Sequence, residues 1–166
     1  RFENFSLDTW KKDIEICLTG TFLCSQILGN HFIKNNGGKI INIGSDLALI
    51  QQDQSLYRVG GLPDEEQPVK PVSYGVLKSG VVNITKYMAS YPLFNKHNVR
   101  INCICPGAIY NPDMTDEFVN KLSKKFPIGR LGKLEEIKGI IVYLCGDNSD
   151  FCQGSIFSID GGRTLL

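Results

Sequence analysis

Apolar residues along the chain recur with two different spacings. From Leu7 to about Phe32 they recur every three to four residues, which is typical of one face of a helix. Asn35–Gly38 ends this stretch with residues that favour turns. Helical spacing returns from Val72 to about Tyr91 and over residues 115–125 and 133–145. The pattern therefore predicts four helices.

Between these stretches lie three short runs of β-branched and other apolar residues. They cover Lys39–Ile43, Val99–Cys105 and Ser155–Ile159. Strands that alternate with helices favour parallel β-α-β units with right-handed crossovers. The predicted fold class is α/β, with a parallel sheet and flanking helices in a single domain over residues 1–166.

The longest stretch with neither spacing runs from Ser45 to Pro71. It contains Gly60–Gly61 and a run of acidic residues, and it is predicted to be a long loop. Loops of this length are usually functional or disordered. Two interpretations stay open: the loop caps a substrate pocket, with Arg58 and Lys70 binding a phosphate or carboxylate, or it is a disordered excursion into solvent.

Composition and charge narrow the classes of partner. Hydrophobic residues make up 42% of the 166 residues and charged residues 21%, which is ordinary for a soluble globular protein. The formal net charge of +1 gives no reason to expect nucleic acid or an anionic membrane as a partner. No apolar run is expected to be long enough to span a bilayer, and the first residues show no secretion signal. A cytoplasmic location is the expectation.

The six cysteines are predicted to be small buried side chains in a reducing compartment. They form no C-x-x-C pair, and Cys103 and Cys105 are expected to point to the same face of their strand. His31 and His97 are the only histidines, so metal-ligand spacing is absent and no metal site is predicted.

Three groups at the ends of these elements suggest chemistry. Ser45 follows the first strand, Pro106–Gly107 follows the second, and Tyr74 and Lys78 lie four residues apart on the helix between them. Positions i and i+4 share one face of a helix, so the Lys78 ammonium is expected beside Tyr74, where it favours the phenolate. Ligands of open α/β sheets bind at the carboxyl ends of the strands. Reduction of a carbonyl needs such a proton donor beside a hydride donor.

In this order, these residues resemble the C-terminal part of a short-chain dehydrogenase/reductase, and the resemblance extends over essentially the whole chain. The long loop is similar to that of a branch found in bacterial surface-sugar gene clusters. The family implies a Rossmann-like sheet, of which only the last three strands are expected here. The segments that carry the resemblance are Trp10 with Leu18–Phe22, Ile41–Ser45, Tyr74–Lys78, Arg100–Asn102 with Cys105–Gly107, Gly129–Arg130 and Ile159–Gly162.

The resemblance implies a role for each candidate residue. Tyr74 would donate the proton, Lys78 would also bond the ribose of the nicotinamide cofactor, and Ser45 would hydrogen-bond the substrate oxygen. Structural roles stay open for all three: a half-buried helix tyrosine, a solvated charge and a turn serine. The cofactor, NAD or NADP, would contact Ile43, Gly44, Tyr74, Lys78, Pro106, Gly107, Ile109 and Asn111.

The chain departs from the family pattern in three respects. Cys17 stands where members usually have an asparagine that helps to hold a water in a proton relay, and a thiol would hold that water less well. Asn111 stands where a threonine is usual, a mild change. No glycine-rich turn that would hold a pyrophosphate is present, so the first four strands of the family are expected to be missing or to lie outside this sequence.

Two functions compete on these observations. The first is an NAD(P)-dependent oxidoreductase that interconverts a hydroxyl and a carbonyl on a small, sugar-like substrate. The second is a cofactor-free fragment that acts only as a folding or oligomerisation module. An epimerase or dehydratase is disfavoured, because little sequence after Pro106 is left for a substrate domain. The family implies a homo-oligomer, a dimer or tetramer, whose seam would use Ile14, Leu18, Phe22, Val81, Ile84 and Met88, unless these are simply buried within the subunit.

Overall fold

Three parallel strands form the sheet at the centre of the protein. The computed structural model describes residues 1–166 and places β1 at Gly38–Ile43, β2 at Val99–Pro106 and β3 at Ile156–Ile159. The strand order is β1-β2-β3, and Ile41 lies opposite Asn102. The predicted α/β fold with a parallel sheet is confirmed. Because β1 and β3 each pair on one side only, both keep a free edge.

A continuous helix, Leu7–Lys34, precedes the sheet and has a wider turn in its middle. Its first part, α1 (Leu7–Asp13), begins at Ser6, whose hydroxyl accepts hydrogen bonds from two main-chain N–H groups. Ile14–Thr19 then form a π-helical turn, and α2 (Gly20–Lys34) continues to the start of β1. The helix therefore ends two residues later than the apolar spacing predicts.

By length and composition alone, this helix could cross a membrane. The mean hydropathy of its most apolar 18-residue window is 1.2, and only 11% of that window is buried. The expectation that no apolar stretch is long enough to span a bilayer was therefore wrong. The core helix of a soluble protein or a signal sequence meets the same criterion, so the criterion carries little weight by itself.

The helix α3 (Val72–Ser90) connects β1 to β2 and packs on one face of the sheet. Its buried residues recur every three to four positions, as the sequence pattern predicts. At the centre of this contact, Asn42 Nδ2 donates a hydrogen bond to Thr85 Oγ1 at 2.9 Å, which satisfies two polar side chains in the core. A short helix that was not predicted, α4 (Pro92–Lys96), follows and starts with proline, which fits a first helical turn.

The two faces of the sheet are covered by different helices because successive residues of a strand point to opposite sides. On β2, Ile101 and Cys103 pack toward α3, whereas Ile104 packs toward α6 (Glu135–Cys145). A separate apolar cluster joins α5 (Asp116–Ser123) to the segment after β1. The sheet is thus buried on both faces, and its carboxyl end meets α5 and this segment.

The long loop was predicted from Ser45 to Pro71. Its residues 46–71 contain three short 3₁₀ turns, at Asp46–Ala48, Gln54–Tyr57 and Asp64–Glu66. Leu56 is buried in the apolar cluster with α5. The buried Gln67 side chain bonds the main chain of the same segment. The segment packs against the protein instead of forming an excursion into solvent.

The remaining predicted bounds differ from the structure by one or two residues at most of the ends. Thr115 lies outside α5 because its hydroxyl caps the helix by accepting a hydrogen bond from the Phe118 N–H. α6 begins at Glu135 rather than at Lys133, and β3 begins at Ile156 rather than at Ser155. The pattern thus predicted which helices and strands are present better than it predicted the residues at which they begin and end.

The predicted burial of the cysteines is only partly correct. Cys103 and Cys105 are buried and contact the same apolar cluster, as two residues on one strand face should. The others lie on helices or turns whose outer sides are uncovered, so they are not fully buried. None of the six cysteines forms a disulfide. Cys103 and Cys105 are buried, Cys17 and Cys152 are half-buried, and Cys24 and Cys145 are exposed.

Candidate active site

A cleft of about 360 Å³ opens at the carboxyl ends of β1 and β2. Its walls come from the two strand ends, from α3, from the segment 46–71 and from α5. Parallel strands end at the same edge of a sheet, which explains why residues distant in sequence meet there. Among the residues predicted from the sequence, the cleft is lined by Ile43, Gly44, Ser45, Tyr74, Lys78, Pro106, Gly107 and Ile109.

The chain leaves β1 over two thiols, and this passage requires a glycine. The Gly44 N–H donates a hydrogen bond to the Ile104 carbonyl at 2.8 Å, and a Cβ at Gly44 would lie 2.7 Å from Cys105 Sγ and 3.0 Å from Cys103 Sγ. The hydrogen bond that the Cys103 thiol donates to Cys105, together with burial, raises the pKa of the Cys103 thiol. This close approach fixes the main chain that carries Ser45.

Ser45 is buried at the cleft and bonded to its own neighbour. Its Oγ lies 2.9 Å from Asp46 Oδ1, and because a carboxylate only accepts, the hydroxyl must be the donor. The Leu47 N–H donates to Ser45 Oγ at 3.2 Å and to Asp46 Oδ1 at 2.8 Å. The Ser45 hydroxyl therefore keeps acceptor capacity for one further donor.

Tyr74 and Lys78 both line the cleft from α3, one helical turn apart. Lys78 Nζ donates to the Ile43 carbonyl at 3.0 Å, which ties the ammonium to the end of β1. Gly75 makes room for the Gln52 carboxamide, since a Cβ there would lie 2.5 Å from Gln52 Nε2. Gln52 Oε1 is the one buried side-chain acceptor without a hydrogen-bond partner, and nothing in the sequence pattern pointed to it.

A buried ion pair that no sequence pattern predicts lies at the floor of the cleft. Arg163 Nη1 donates to Asp46 Oδ2 at 2.8 Å, and the side chains are only 8% and 4% exposed. The Arg163 guanidinium also lies 5.3 Å from the centre of the Phe126 ring. One end of the Asp46 carboxylate thus holds Ser45 and the other holds Arg163, so the C-terminal turn is linked to the candidate catalytic serine.

The turn that presents Arg163 is organised by Asp160. Its carboxylate accepts hydrogen bonds from the Gly162 and Thr164 N–H groups at 3.1 and 2.8 Å. Burial opposes ionisation of Asp160, but the hydrogen bonds from Thr164 and Gly162 outweigh it and hold the pKa of this carboxyl below its usual range. The turn Asp160–Gly162 therefore has a specific role, because it sets the position of the buried Arg163 guanidinium.

The segment 46–71 forms the side of the cleft that faces α3. Asp53 pairs with Lys125 at 2.8 Å, and the hydrogen bond from Lys125, followed by that from Ser55, lowers the pKa of Asp53 to about 2. Tyr57 lines the cleft as well, and burial raises the pKa of its hydroxyl. Lys70 reaches the cleft from the end of the segment, with Nζ 4.2 Å from the centre of the Tyr74 ring.

Three predicted residues lie apart from this arrangement. Asn111 is exposed outside the cleft lining, where its Oδ1 accepts a hydrogen bond from the Asp113 N–H, so its expected contact with the cofactor has no support in the geometry. Arg58 pairs with Asp64 and does not line the cleft, unlike Lys70. Cys17 sits in the π-helical turn beside the apolar cluster under α3, and it lines a neighbouring pocket together with Tyr74 and Lys78.

Comparison with known proteins places this geometry in a family. The family description "short chain dehydrogenase" matches residues 1–57, and "Enoyl-(Acyl carrier protein) reductase" matches residues 65–164. The second match alone covers more than half of the chain. The chain belongs to the short-chain dehydrogenase/reductase family. Ser45, Tyr74 and Lys78 fall within the matched ranges, in the order in which the sequence analysis noted them.

Individual relatives agree with this assignment. The (2S)-[(R)-hydroxy(phenyl)methyl]succinyl-CoA dehydrogenase subunit BbsD of Thauera aromatica is 31% identical over 95% of this chain and 57% of its own length. A short chain dehydrogenase from Leptospira borgpetersenii with bound NAD+ superposes with a TM-score of 0.86 at 28% identity, over 98% of this chain and 59% of that one. A gluconate 5-dehydrogenase from Burkholderia cenocepacia, in complex with NADP and tartrate, gives 0.81 at 26% identity, over 99% and 60%.

This short-chain dehydrogenase/reductase chain spans about three-fifths of the length of the relatives it matches. Residues 1–166 contain no glycine-rich turn between a strand and a helix that would hold a pyrophosphate. The cleft does offer groups that suit the nicotinamide end of such a cofactor: a lysine ammonium at the end of β1, and Pro106 and Gly107 at the end of β2. These residues fit one half of a dinucleotide.

Proposed function

We propose that this chain carries the catalytic part of an NAD(P)-dependent oxidoreductase that interconverts a hydroxyl and a carbonyl on a small molecule. The observation that supports it most directly is that Ser45, Tyr74 and Lys78 line one cleft at the carboxyl ends of parallel strands. The dehydrogenase names of its relatives, two of them with NAD+ or NADP bound, support the same reaction class.

In this proposal each of the three side chains has one task. Tyr74 gives its proton to the substrate oxygen in reduction and takes it back in oxidation. The Lys78 ammonium stabilises the phenolate that this exchange produces. Ser45 hydrogen-bonds the substrate oxygen: its free acceptor capacity suits an alcohol, and rotation of its O–H away from Asp46 suits a carbonyl. A bound nicotinamide supplies or accepts the hydride.

The cofactor would be held on the side of the cleft where β1 and β2 end. Lys78 would bond its ribose, and Ile43, Gly44 and the main chain of Pro106, Gly107 and Ile109 would contact the nicotinamide, since all of them line the cleft. Asn111 is left out because it lies elsewhere. NAD and NADP are both compatible with these contacts, because none of the residues would touch the adenosine ribose that distinguishes the two.

For the substrate we propose a sugar-like compound. The support is the likeness of the segment 46–71 to the branch found in bacterial surface-sugar gene clusters, together with similarity to gluconate dehydrogenases among the solved structures. The cleft is compatible with it, because Ser45, Gln52 and Lys70 line it beside its apolar residues. Sugars are bound through many such polar groups.

The experiment that tests the reaction is Tyr74→Phe in the full-length protein. We expect turnover of an alcohol with NAD+ or NADP+ to fall by about 10²- to 10⁴-fold, the usual contribution of a proton donor. The rise in melting temperature caused by NADH or NADPH should persist, because only a hydroxyl is lost. Tyr87→Phe is the matched control, since Tyr87 is exposed on the same helix. Retained turnover in Tyr74→Phe would reject Tyr74 as the proton donor.

A second candidate is supported by a different observation. The helix Leu7–Lys34 exposes large apolar side chains, among them Ile16, Leu23 and Ile27, and such faces usually contact another protein surface. The chain would then serve as an oligomerisation module, and a homo-oligomer is compatible with both functions. Val81 and Met88 do not contribute to such a seam, because they are buried against the sheet of their own subunit. A cofactor-free module would show no melting-temperature rise with NADH or NADPH.

A further inference from the structure

Lys70 differs from the other charged residues of the cleft because its ammonium has neither an ion-pair partner nor a hydrogen-bond acceptor in the protein. Asp46 pairs with Arg163 and Asp53 pairs with Lys125, each at 2.8 Å. Lys78 donates to a main-chain carbonyl. Lys70 Nζ makes neither an ion pair nor a side-chain hydrogen bond, although it lines the same cleft. The five charged residues of the lining are Asp46, Asp53, Lys70, Lys78 and Arg163.

The position of Lys70 is nevertheless well defined. The Gln54 carboxamide clamps its main chain: the Lys70 N–H donates to Gln54 Oε1 at 2.9 Å, and Gln54 Nε2 donates to the Lys70 carbonyl at 3.3 Å. Its ammonium lies 4.2 Å from the centre of the Tyr74 ring, which is within the range of a cation–π contact. A half-buried cation is therefore held over the face of the candidate proton donor.

The neighbouring carboxylate outside the cleft is also occupied. Asp13 shares a pocket with Lys70 and Tyr74, but its Oδ2 accepts a hydrogen bond from the Ser73 hydroxyl and no ion pair with Lys70 forms. Lys70 and Lys78 stand four residues before and after Tyr74. Lys78 is tied to the end of β1, whereas Lys70 belongs to the segment 46–71, so the two cations approach Tyr74 from different walls.

We propose that Lys70 binds an anionic group of the substrate, a carboxylate or a phosphate. This rests on the function proposed above, since it places the substrate between Tyr74 and the segment 46–71. An ammonium forms short, strong hydrogen bonds with either anion. Because Nζ lies over the ring that carries the reacting hydroxyl, the anion would sit within a few covalent bonds of the oxygen that Tyr74 protonates. The substrate class is then an acidic or phosphorylated hydroxy compound rather than a neutral alcohol.

Thermal unfolding of the protein with three five-carbon probes tests this site without any cofactor. Ribonate carries a carboxylate, ribitol 5-phosphate carries a phosphate, and ribitol is the neutral match. We expect one or both anions to raise the melting temperature and ribitol to leave it unchanged. The rise should disappear in Lys70→Gln and persist in Lys70→Arg, which keeps the charge. Lys86→Gln is the control, because Lys86 is an exposed lysine on α3 that does not line the cleft.

The outcomes separate the alternatives. A carboxylate-only or a phosphate-only shift identifies the group that Lys70 binds, and both support the proposal. An equal shift in Lys70→Gln, an equal shift with ribitol, or no shift with either anion at saturating concentration would overturn it. Circular dichroism checks that each variant folds. Because Lys70 is only half-buried and its clamp uses the main chain, Lys70→Gln should keep the fold.

Steady-state kinetics with the same probes then distinguish this proposal from the proposed function. In the full-length protein, Lys70→Gln should reduce the preference of kcat/KM for the anionic over the neutral probe by about 10- to 100-fold, mainly through KM. Lys70→Arg should restore most of it. Anion-dependent stabilisation without turnover of any probe would keep the anion site and reject the oxidoreductase. If Lys70→Gln turns over the probes with an unchanged kcat/KM preference for the anionic one, the oxidoreductase is kept and the anion site is rejected.

Discussion

The two walls of the cleft are built in different ways. The inner wall, residues 43–45, 74–78 and 106–109, stands on strand ends and on α3, so main-chain hydrogen bonds of regular elements set its shape. The outer wall, residues 46–71 together with α5, is held by single side chains that bond main-chain groups and by one apolar cluster. The outer wall therefore depends on individual side chains, whereas the inner wall depends on the main chain of regular elements.

This difference suggests how the two walls share the work. Groups that exchange a proton need fixed geometry, which regular elements supply. Groups that choose a substrate gain from a segment that can vary in sequence without disturbing the sheet. The Asp46–Arg163 ion pair connects the two walls, because Asp46 follows Ser45 and begins the segment 46–71. We call this ion pair the joint. We therefore expect the loss of stability to be largest for substitutions at the joint and smaller for those within the outer wall. It should be smallest at the rim of the cleft, where the partly exposed Asp53–Lys125 pair lies.

The largest effect is expected from Arg163→Met, which breaks the joint. Removing one partner of a buried ion pair leaves an uncompensated charge and typically costs about 3–5 kcal/mol. We expect this loss in the free energy of unfolding measured with urea at pH 7. Adding Asp46→Asn to Arg163→Met should recover part of the loss, because the stranded charge disappears. A loss below about 1 kcal/mol in the single variant would show that the Asp46–Arg163 pair is not the joint described above.

A smaller effect, confined to the outer wall, is expected from Gln67→Ala. The Gln67 carboxamide makes three hydrogen bonds to main-chain groups of Val59 and Leu62, and its loss leaves those groups to water or unpaired. We expect about 1–3 kcal/mol of local destabilisation, visible as faster hydrogen exchange over residues 58–67 with unchanged exchange in β2. Glu65→Ala, at an exposed position of the same segment, should change neither. Equal acceleration in β2 would mean that the outer wall is not a separate unit.

The smallest effect is expected at the rim, from Lys125→Met. The hydrogen bond from Lys125, together with those from Ser55, lowers the pKa of Asp53 to about 2. A carboxyl with a lowered pKa stabilises the fold above its ordinary pKa of about 4, and this contribution is lost as the pH falls through about 2. Since both side chains are partly exposed, Lys125→Met should lower stability by less than about 1 kcal/mol at pH 7. The difference from the unmodified protein should shrink as the pH falls from about 4 through about 2. Lys124→Met should match the unmodified protein at every pH.

The inner wall could be predicted from the sequence because each of its residues sits at a fixed position on a periodic element. Tyr74 and Lys78 share a helix face, and Ser45 and Pro106 mark strand ends, so the α/β topology alone brings them to one edge. Cys17 illustrates the limit of this reasoning. Its place in a π-helical turn depends on one extra residue per turn, which apolar spacing does not reveal.

The outer wall and the joint could not be predicted for a physical reason. Arg163 and Asp46 are 117 positions apart, and no periodicity connects a turn after β3 with a turn after β1. Arg58 and Lys70 look alike in the sequence, yet a local carboxylate, Asp64, engages Arg58, whereas the Gln54 clamp presents Lys70 to the cleft. Such choices depend on side-chain partners in three dimensions rather than on local propensity.

The free edge of β1 has a practical consequence. Its main-chain donors and acceptors on the outer side meet no neighbouring strand, and four of its six residues are Ile or Gly, with one charge at Lys39. Isoleucine-rich edges with few charges accept foreign strands readily, so this segment is a template for lateral pairing between molecules. Where this edge stays uncovered, precipitation should start there, and a covering strand would suppress it.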